Sequence, residues 1–117
     1  MNLTYTPHAL TPEQLTALSQ ELKQALTDLY GPRLDRLVLY GSYARGDYHA
    51  ESDVDFLVVL RDEPVKSRQE INFMIDPVYD LTEKYDVLVM VKPSSTHKYE
   101  SSDLFFYDQV RTDGITI

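Results

Sequence analysis

Cysteine is absent from the chain, which excludes disulfides, zinc–thiolate centres and cysteine nucleophiles together and makes a reducing compartment its natural home. Long apolar runs are absent too. No stretch approaches the length of a membrane-spanning helix, and Met1 to Leu10 lack both a basic head and an unbroken apolar run. A soluble, cytoplasmic protein with no membrane association is expected. Positive charge is scarce: 11 lysines and arginines stand against 19 acidic residues, for a formal net charge of -8. Binders of nucleic-acid backbones draw their affinity mainly from cations that neutralise phosphates. Direct nucleic-acid binding is therefore disfavoured, and a basic protein partner suits the charge better. His8, His49 and His97 share no metal-ligand spacing. No internal repeat or low-complexity linker interrupts the chain, and 117 residues suffice for one compact core but scarcely for two. One domain over residues 1–117 is expected.

What is present begins with a helix signal. Thr11, Pro12 and Gln14 form a capping box with proline at the first helical position, and Leu15, Leu18, Leu22, Leu26 and Leu29 then recur at helical spacing. This predicts a helix over about 12–29 whose leucine stripe packs on a sheet. Gly31-Pro32 ends it, and a short strand, Leu34 to Tyr40, leads into Gly41-Ser42. Asp53 to Leu60 reads as a second, central strand, apolar from Phe56 onward. Ser67 and Glu70 suggest another capping box. Ile71, Met74, Val78 and Leu81 continue that helix to about Lys84, with Pro77 predicting a kink or break. Asp86 to Val91 reads as a third strand, Pro93-Ser94-Ser95 as a turn, the region around Asp103 to Val110 as a short helix, and Gly114 to Ile117 as an edge segment. The fold class is thus α/β, a small mixed sheet flanked by helices.

The chemistry concentrates between residues 41 and 58. In a strand alternate side chains share a face, so Asp53 and Asp55 project together from the start of an apolar strand. Adjacent carboxylates beside a hydrophobic sheet repel one another and resist desolvation. A hard divalent cation relieves both costs, and magnesium is the obvious candidate. Gly41 lets a phosphate approach the backbone where a strand gives way to a short helix, and the Ser42 hydroxyl and nearby amides can hydrogen-bond the anion. A phosphate cradle facing a metal cradle is what in-line attack on a nucleoside triphosphate needs. Arg45 is a candidate to steady the triphosphate, although such an arginine often pairs with a nearby acid. Tyr40 and Tyr43 flank the loop as packing residues or base-stacking platforms.

A Gly-Ser pair followed after ten residues by Asp-x-Asp, here Gly41, Ser42, Asp53 and Asp55, resembles the signature of the DNA polymerase beta-like nucleotidyltransferase superfamily. The short length and the flanking Ala-Arg-Gly, Ser-Asp-Val-Asp and terminal Asp-Gly-Ile pieces resemble the minimal nucleotidyltransferase family, with a catalytic core over about 34–117. The resemblance implies a nucleotidyltransferase fold, two magnesium ions held by Asp53 and Asp55, and a third carboxylate on the following strand that helps one metal and acts as base. Asp86 is assigned that third role. It further implies ATP as substrate and a hetero-oligomer with a helical toxin of the HEPN type. In such pairs the antitoxin silences a ribonuclease toxin by moving AMP from ATP onto one of its tyrosines. Neutralisation by steric occlusion and nucleotide transfer to a small molecule are the alternatives.

Overall fold

The computed structural model describes residues 7–117. Helix α1 spans Pro12–Tyr30, and the capping box is made: the Gln14 amide donates to Thr11 Oγ1 at 3.1 Å, and the Thr11 amide donates to Gln14 Oε1 at 2.9 Å. Leu18, Leu22 and Leu26 are fully buried, as the stripe predicts. Leu29 departs from it, at 42 % exposure. In the last turn Tyr30 takes the inward position instead. Its hydroxyl donates to the Glu70 carbonyl at 3.4 Å and its ring lies under the Arg33 guanidinium, so the polar end of the side chain is satisfied where leucine could offer nothing.

A single 3-10 turn, Gly31–Arg33, feeds strand β1, Leu34–Tyr40, and the four-residue helix α2 follows at Ser42–Arg45. Strand β2 is Val54–Leu60, helix α3 Ser67–Tyr85, strand β3 Val89–Ser95, helices α4 and α5 Thr96–Ser101 and Phe105–Asp113, and strand β4 Ile115–Thr116. The sheet order is β3-β2-β1-β4, with β1 antiparallel to β2 and β4, and β2 parallel to β3. A mixed sheet follows, because β1 and β2 are joined without a crossover whereas α3 carries the chain back to start β3 alongside β2.

Period-2 alternation gives the sheet two cores. Leu37, Leu39, Phe56, Val58 and Leu60 face α1 and α3, while Val38, Leu57 and Val59 face Tyr107 and Val110 of α5. Strand β2 is buried on both sides, which is why its sequence reads as an unbroken apolar run.

Three local expectations are corrected. The third strand begins at Val89 and not at Asp86, and it runs through Pro93, Ser94 and Ser95. Proline is admitted because β3 is an edge strand, and Ser94 is satisfied by a 2.6 Å hydrogen bond with the Tyr107 hydroxyl, so neither residue needs a turn. Helix α4, absent from the sequence reading, starts when the Ser95 hydroxyl accepts the Lys98 amide at 3.1 Å. Helix α3 runs unbroken through Pro77, and its first turn makes no capping box. Glu70 is instead 2 % exposed and bonded to Arg33 at 2.9 and 3.1 Å, and Ile71 faces outward. Among the described residues no helix is long and apolar enough to cross a membrane.

Arg33 also chelates Asp62, at 2.9 and 3.0 Å, so one guanidinium bridges a buried and a partly exposed carboxylate. Arg33→Ala strands the Glu70 charge inside the fold and is expected to destabilise by about 2–4 kcal/mol in urea unfolding. The Arg33→Ala, Glu70→Met double variant should recover most of that loss.

Candidate functional site

The site is built where β1 ends. Gly41 has φ 76° and ψ -156°, a backbone state that glycine alone adopts cheaply, and its carbonyl accepts the amides of Ala44 and Arg45, both at 3.1 Å. That bifurcated acceptance opens α2, and no side chain caps its start. Gly46, left-handed at φ 88°, closes it by donating to the Ser42 carbonyl at 2.9 Å. The loop is anchored from beneath by Tyr43, whose buried hydroxyl accepts the Leu10 amide at 3.0 Å and whose ring stacks on Tyr48 at 4.3 Å. Tyr43 is thus a packing residue.

Asp55 lies directly across the sheet from Tyr40, one residue before that loop. A Cβ placed on Gly41 would stand 2.5 Å from Asp55 Oδ2, so the turn and the carboxylate are packed against each other with room for hydrogen only. Burial pushes the Asp55 carboxyl above the usual aspartate range, the Asp53 charge pushes it further, and Arg45 opposes both. Burial and the Asp55 charge together push Tyr40 up to about 12. Asp53 immediately precedes β2 and is solvent-exposed. Gly41, Ser42, Asp53 and Asp55 therefore come together at one end of the sheet. Two mutually repelling oxygen donors, one of them half-buried, fit a magnesium ion that takes one or two protein carboxylates and completes its shell with water and phosphate.

Asp86 is placed differently from the expectation. It is the left-handed residue that terminates α3, at φ 52°, with a side chain 64 % exposed and 3.4 Å from His8 Nε2. The physical reason is local: the chain needs three more residues to turn from the helix before β3 can begin. By register Met90 stands beside Asp55, and no residue of β3 carries a carboxylate. Asp86 and Asp53 line the same 340 Å³ surface cleft with His8, but among the described residues no group of three acidic or histidine side chains is gathered to hold a metal. Arg45 makes the ion pair that its position allows, 3.2 Å from Asp47 Oδ2. It also borders a second cavity.

That cavity, 290 Å³, opens beside Gly41 and is lined by Tyr40, Arg45, Phe105, Phe106, Gln109 and Asp113 among others. The α5 residues in it were not singled out from sequence. A helix was expected there, but which of its faces meets the Gly41 turn depends on the tertiary packing of Tyr107 and Val110 beneath the sheet.

The Nucleotidyltransferase domain family matches residues 19–108, and the chain belongs to that family. It is 32 % identical over 104 residues to a Methanocaldococcus jannaschii protein named "Putative protein adenylyltransferase MJ0141", covering 89 % of this chain and 99 % of that one. A second protein of the same organism, "Putative protein adenylyltransferase MJ0604", is 37 % identical over 70 residues, 60 % of this chain and 63 % of that one. The fold is shared with a toxin–antitoxin crystal structure containing AMP-PNP, at a TM-score of 0.56 and 21 % identity over 92 % of this chain and 72 % of that one. An MntA–HpeT toxin–antitoxin structure gives 0.55 and 21 %, over 93 % and 72 %. The protein is a nucleotidyltransferase.

Two outcomes follow from this geometry. Gly41→Ala combines a strained φ with a collision on Asp55 and is expected to cost about 1–3 kcal/mol in thermal or urea unfolding. Asp55→Asn removes a half-buried, repelled charge and is expected to raise Tm at pH 7 by about 2 °C in metal-free buffer. Because the folded-state pKa of Asp55 is raised, the native state binds its proton first as pH falls, which relieves the wild type. The advantage of Asn should therefore shrink on acidification through that pKa, in melts recorded from pH 7 downward.

Proposed function

We propose that this nucleotidyltransferase is an antitoxin that moves AMP from magnesium-bound ATP onto a tyrosine of a cognate HEPN-type toxin. The observation that carries the reading is the packing of Gly41 on the Asp55 carboxylate, which supports a phosphate-binding role for the turn and a cation-binding role for the acid within one triphosphate's reach. In this reading Asp53 and Asp55 hold the magnesium, which neutralises phosphate charge when bound. Gly41 and Ser42 bind the phosphates of the leaving group, and Arg45 at the rim adds a cation. The tyrosine oxygen attacks the α-phosphorus in line, the α–β bridging P–O bond breaks, and pyrophosphate leaves with the electron pair. The phenolic proton passes to solvent or an adjacent carboxylate. Asp86, at the end of α3, lines one cleft with Asp53 and is the proposed third carboxylate at the rim of this site.

Support comes from three sides. The M. jannaschii relatives carry the adenylyltransferase name, and the shared fold occurs in toxin–antitoxin complexes, one of them with a nucleotide analogue. The net charge of -8 suits a basic partner. Exposed apolar side chains, among them Phe73, Ile75 and Tyr79 on α3, provide surface for one. The acid-free β3 favours a second reading, in which nucleotide is bound and the toxin is silenced by occlusion.

Incubation of the purified toxin with this protein, magnesium and α-labelled ATP should label the toxin on tyrosine. Asp53→Ala and Asp55→Ala should each reduce labelling by at least about a hundredfold, and Asp86→Ala by about tenfold or less. Unlabelled toxin, or undiminished transfer by the double Asp53→Ala, Asp55→Ala variant, removes the enzymatic reading. Rescue of growth by that double variant on co-expression would favour occlusion.

A further inference from the structure

The 290 Å³ cavity beside Gly41 has a composition that the phosphate and metal sites do not explain. Phe106 and Tyr40 meet edge to face, at 5.3 Å and 88°, forming an aromatic corner at the end of β1. Phe106 is fixed by a second edge-to-face contact with the buried Tyr107, at 5.1 Å, and by Lys92 Nζ 5.3 Å from its ring centroid. Phe105, in the first turn of α5, is 77 % exposed at the mouth. Keeping a phenylalanine in water forfeits the burial that would ordinarily stabilise it. Gln109 and Asp113 follow Phe105 at four-residue spacing on α5 and add polar, hydrogen-bonding groups beside the aromatic rings: Gln109 offers both a donor and an acceptor, and Asp113 offers acceptors. Arg45 is the cation of the lining and sits at the phosphate end, next to Gly41.

We infer that this cavity receives the nucleobase of the substrate triphosphate, stacked on the Phe105, Phe106 and Tyr40 aromatic side and read at its edge by Gln109 and Asp113. The inference rests on the proposed function and names the specificity site of the same reaction. One lining joins Gly41 and Arg45, where the phosphates would lie, to the aromatic and hydrogen-bonding side chains of α5, which suit a flat ring. A volume of 290 Å³ suits a base, and falls at the lower limit for small-molecule pockets. Asp113 accepts hydrogen bonds and cannot donate them when ionised, so it selects a base with an exocyclic amino group and repels the carbonyl that uracil presents there. An amide such as Gln109 is suited to the paired donor and acceptor on one edge of adenine.

Calorimetric titration of the intact protein, in magnesium, with ATP, GTP, CTP, UTP and inorganic triphosphate tests this directly. ATP should bind at least about tenfold more tightly than inorganic triphosphate, and UTP should not share the gain. Phe105→Ala and Gln109→Ala lie on the exposed side of α5 and leave the core intact. Each should cut ATP affinity about fivefold or more without changing triphosphate affinity. Asp113→Asn should narrow the gap between ATP and UTP. Equal binding of ATP and inorganic triphosphate by the wild type, or full ATP affinity in both α5 variants, overturns the base site while leaving the phosphate and metal site standing. Binding of neither compound overturns the proposed function and this inference together.

Discussion

A carboxylate that the fold does not welcome governs this structure. Asp55 is drawn into the sheet by a strand that is otherwise apolar, is crowded by Gly41, and is repelled by Asp53, and among the described residues its charge is opposed by a rim arginine already paired with Asp47. Groups arranged against their own ionisation mark candidate functional positions, because a bound cation would relieve the unfavourable charge. The glycine turn is packed against this one side chain, and the tyrosine anchor holds that turn from beneath.

Such an arrangement costs stability, and the remainder of the fold offsets it. Strand β2 presents apolar residues to both layers, so the strand carrying Asp55 is the best buried in the sheet and the carboxylate cannot drift from Gly41 without unpacking two cores. On the opposite border, Arg33 binds Glu70 and Asp62 and ties the start of β1 to α3. Helix α5 plays both parts: Tyr107 and Val110 close the second core, while Phe105, Gln109 and Asp113 line the cavity next to the Gly41 turn.

Much of this was legible in the residues because local chemistry determined it. The helix start at Thr11, the bounds of β1 and the pairing of Gly41-Ser42 with Asp53 and Asp55 all follow from capping, period-2 patterning and motif spacing. What was misjudged depends on neighbours distant in sequence. Glu70 looks like a capping residue until Arg33 is brought against it, and Pro93 looks like a turn until β3 is known to be an edge strand. Asp86 was assigned to the strand it precedes, since sequence does not say how many residues the chain needs to leave α3. The cavity-facing side of α5 was hidden for the same reason.

The outer border of the sheet has one more consequence. Among the described residues strand β3 has no neighbour beyond it, and Pro93 interrupts its row of donors at mid-length. On the other border β4 offers just two residues, Ile115 and Thr116. Neither flank is an inviting template for a foreign strand, which guards a crowded cell's worth of copies against stacking into fibres. A companion protein would therefore engage this one through side chains and helices, and not by extending its ladder.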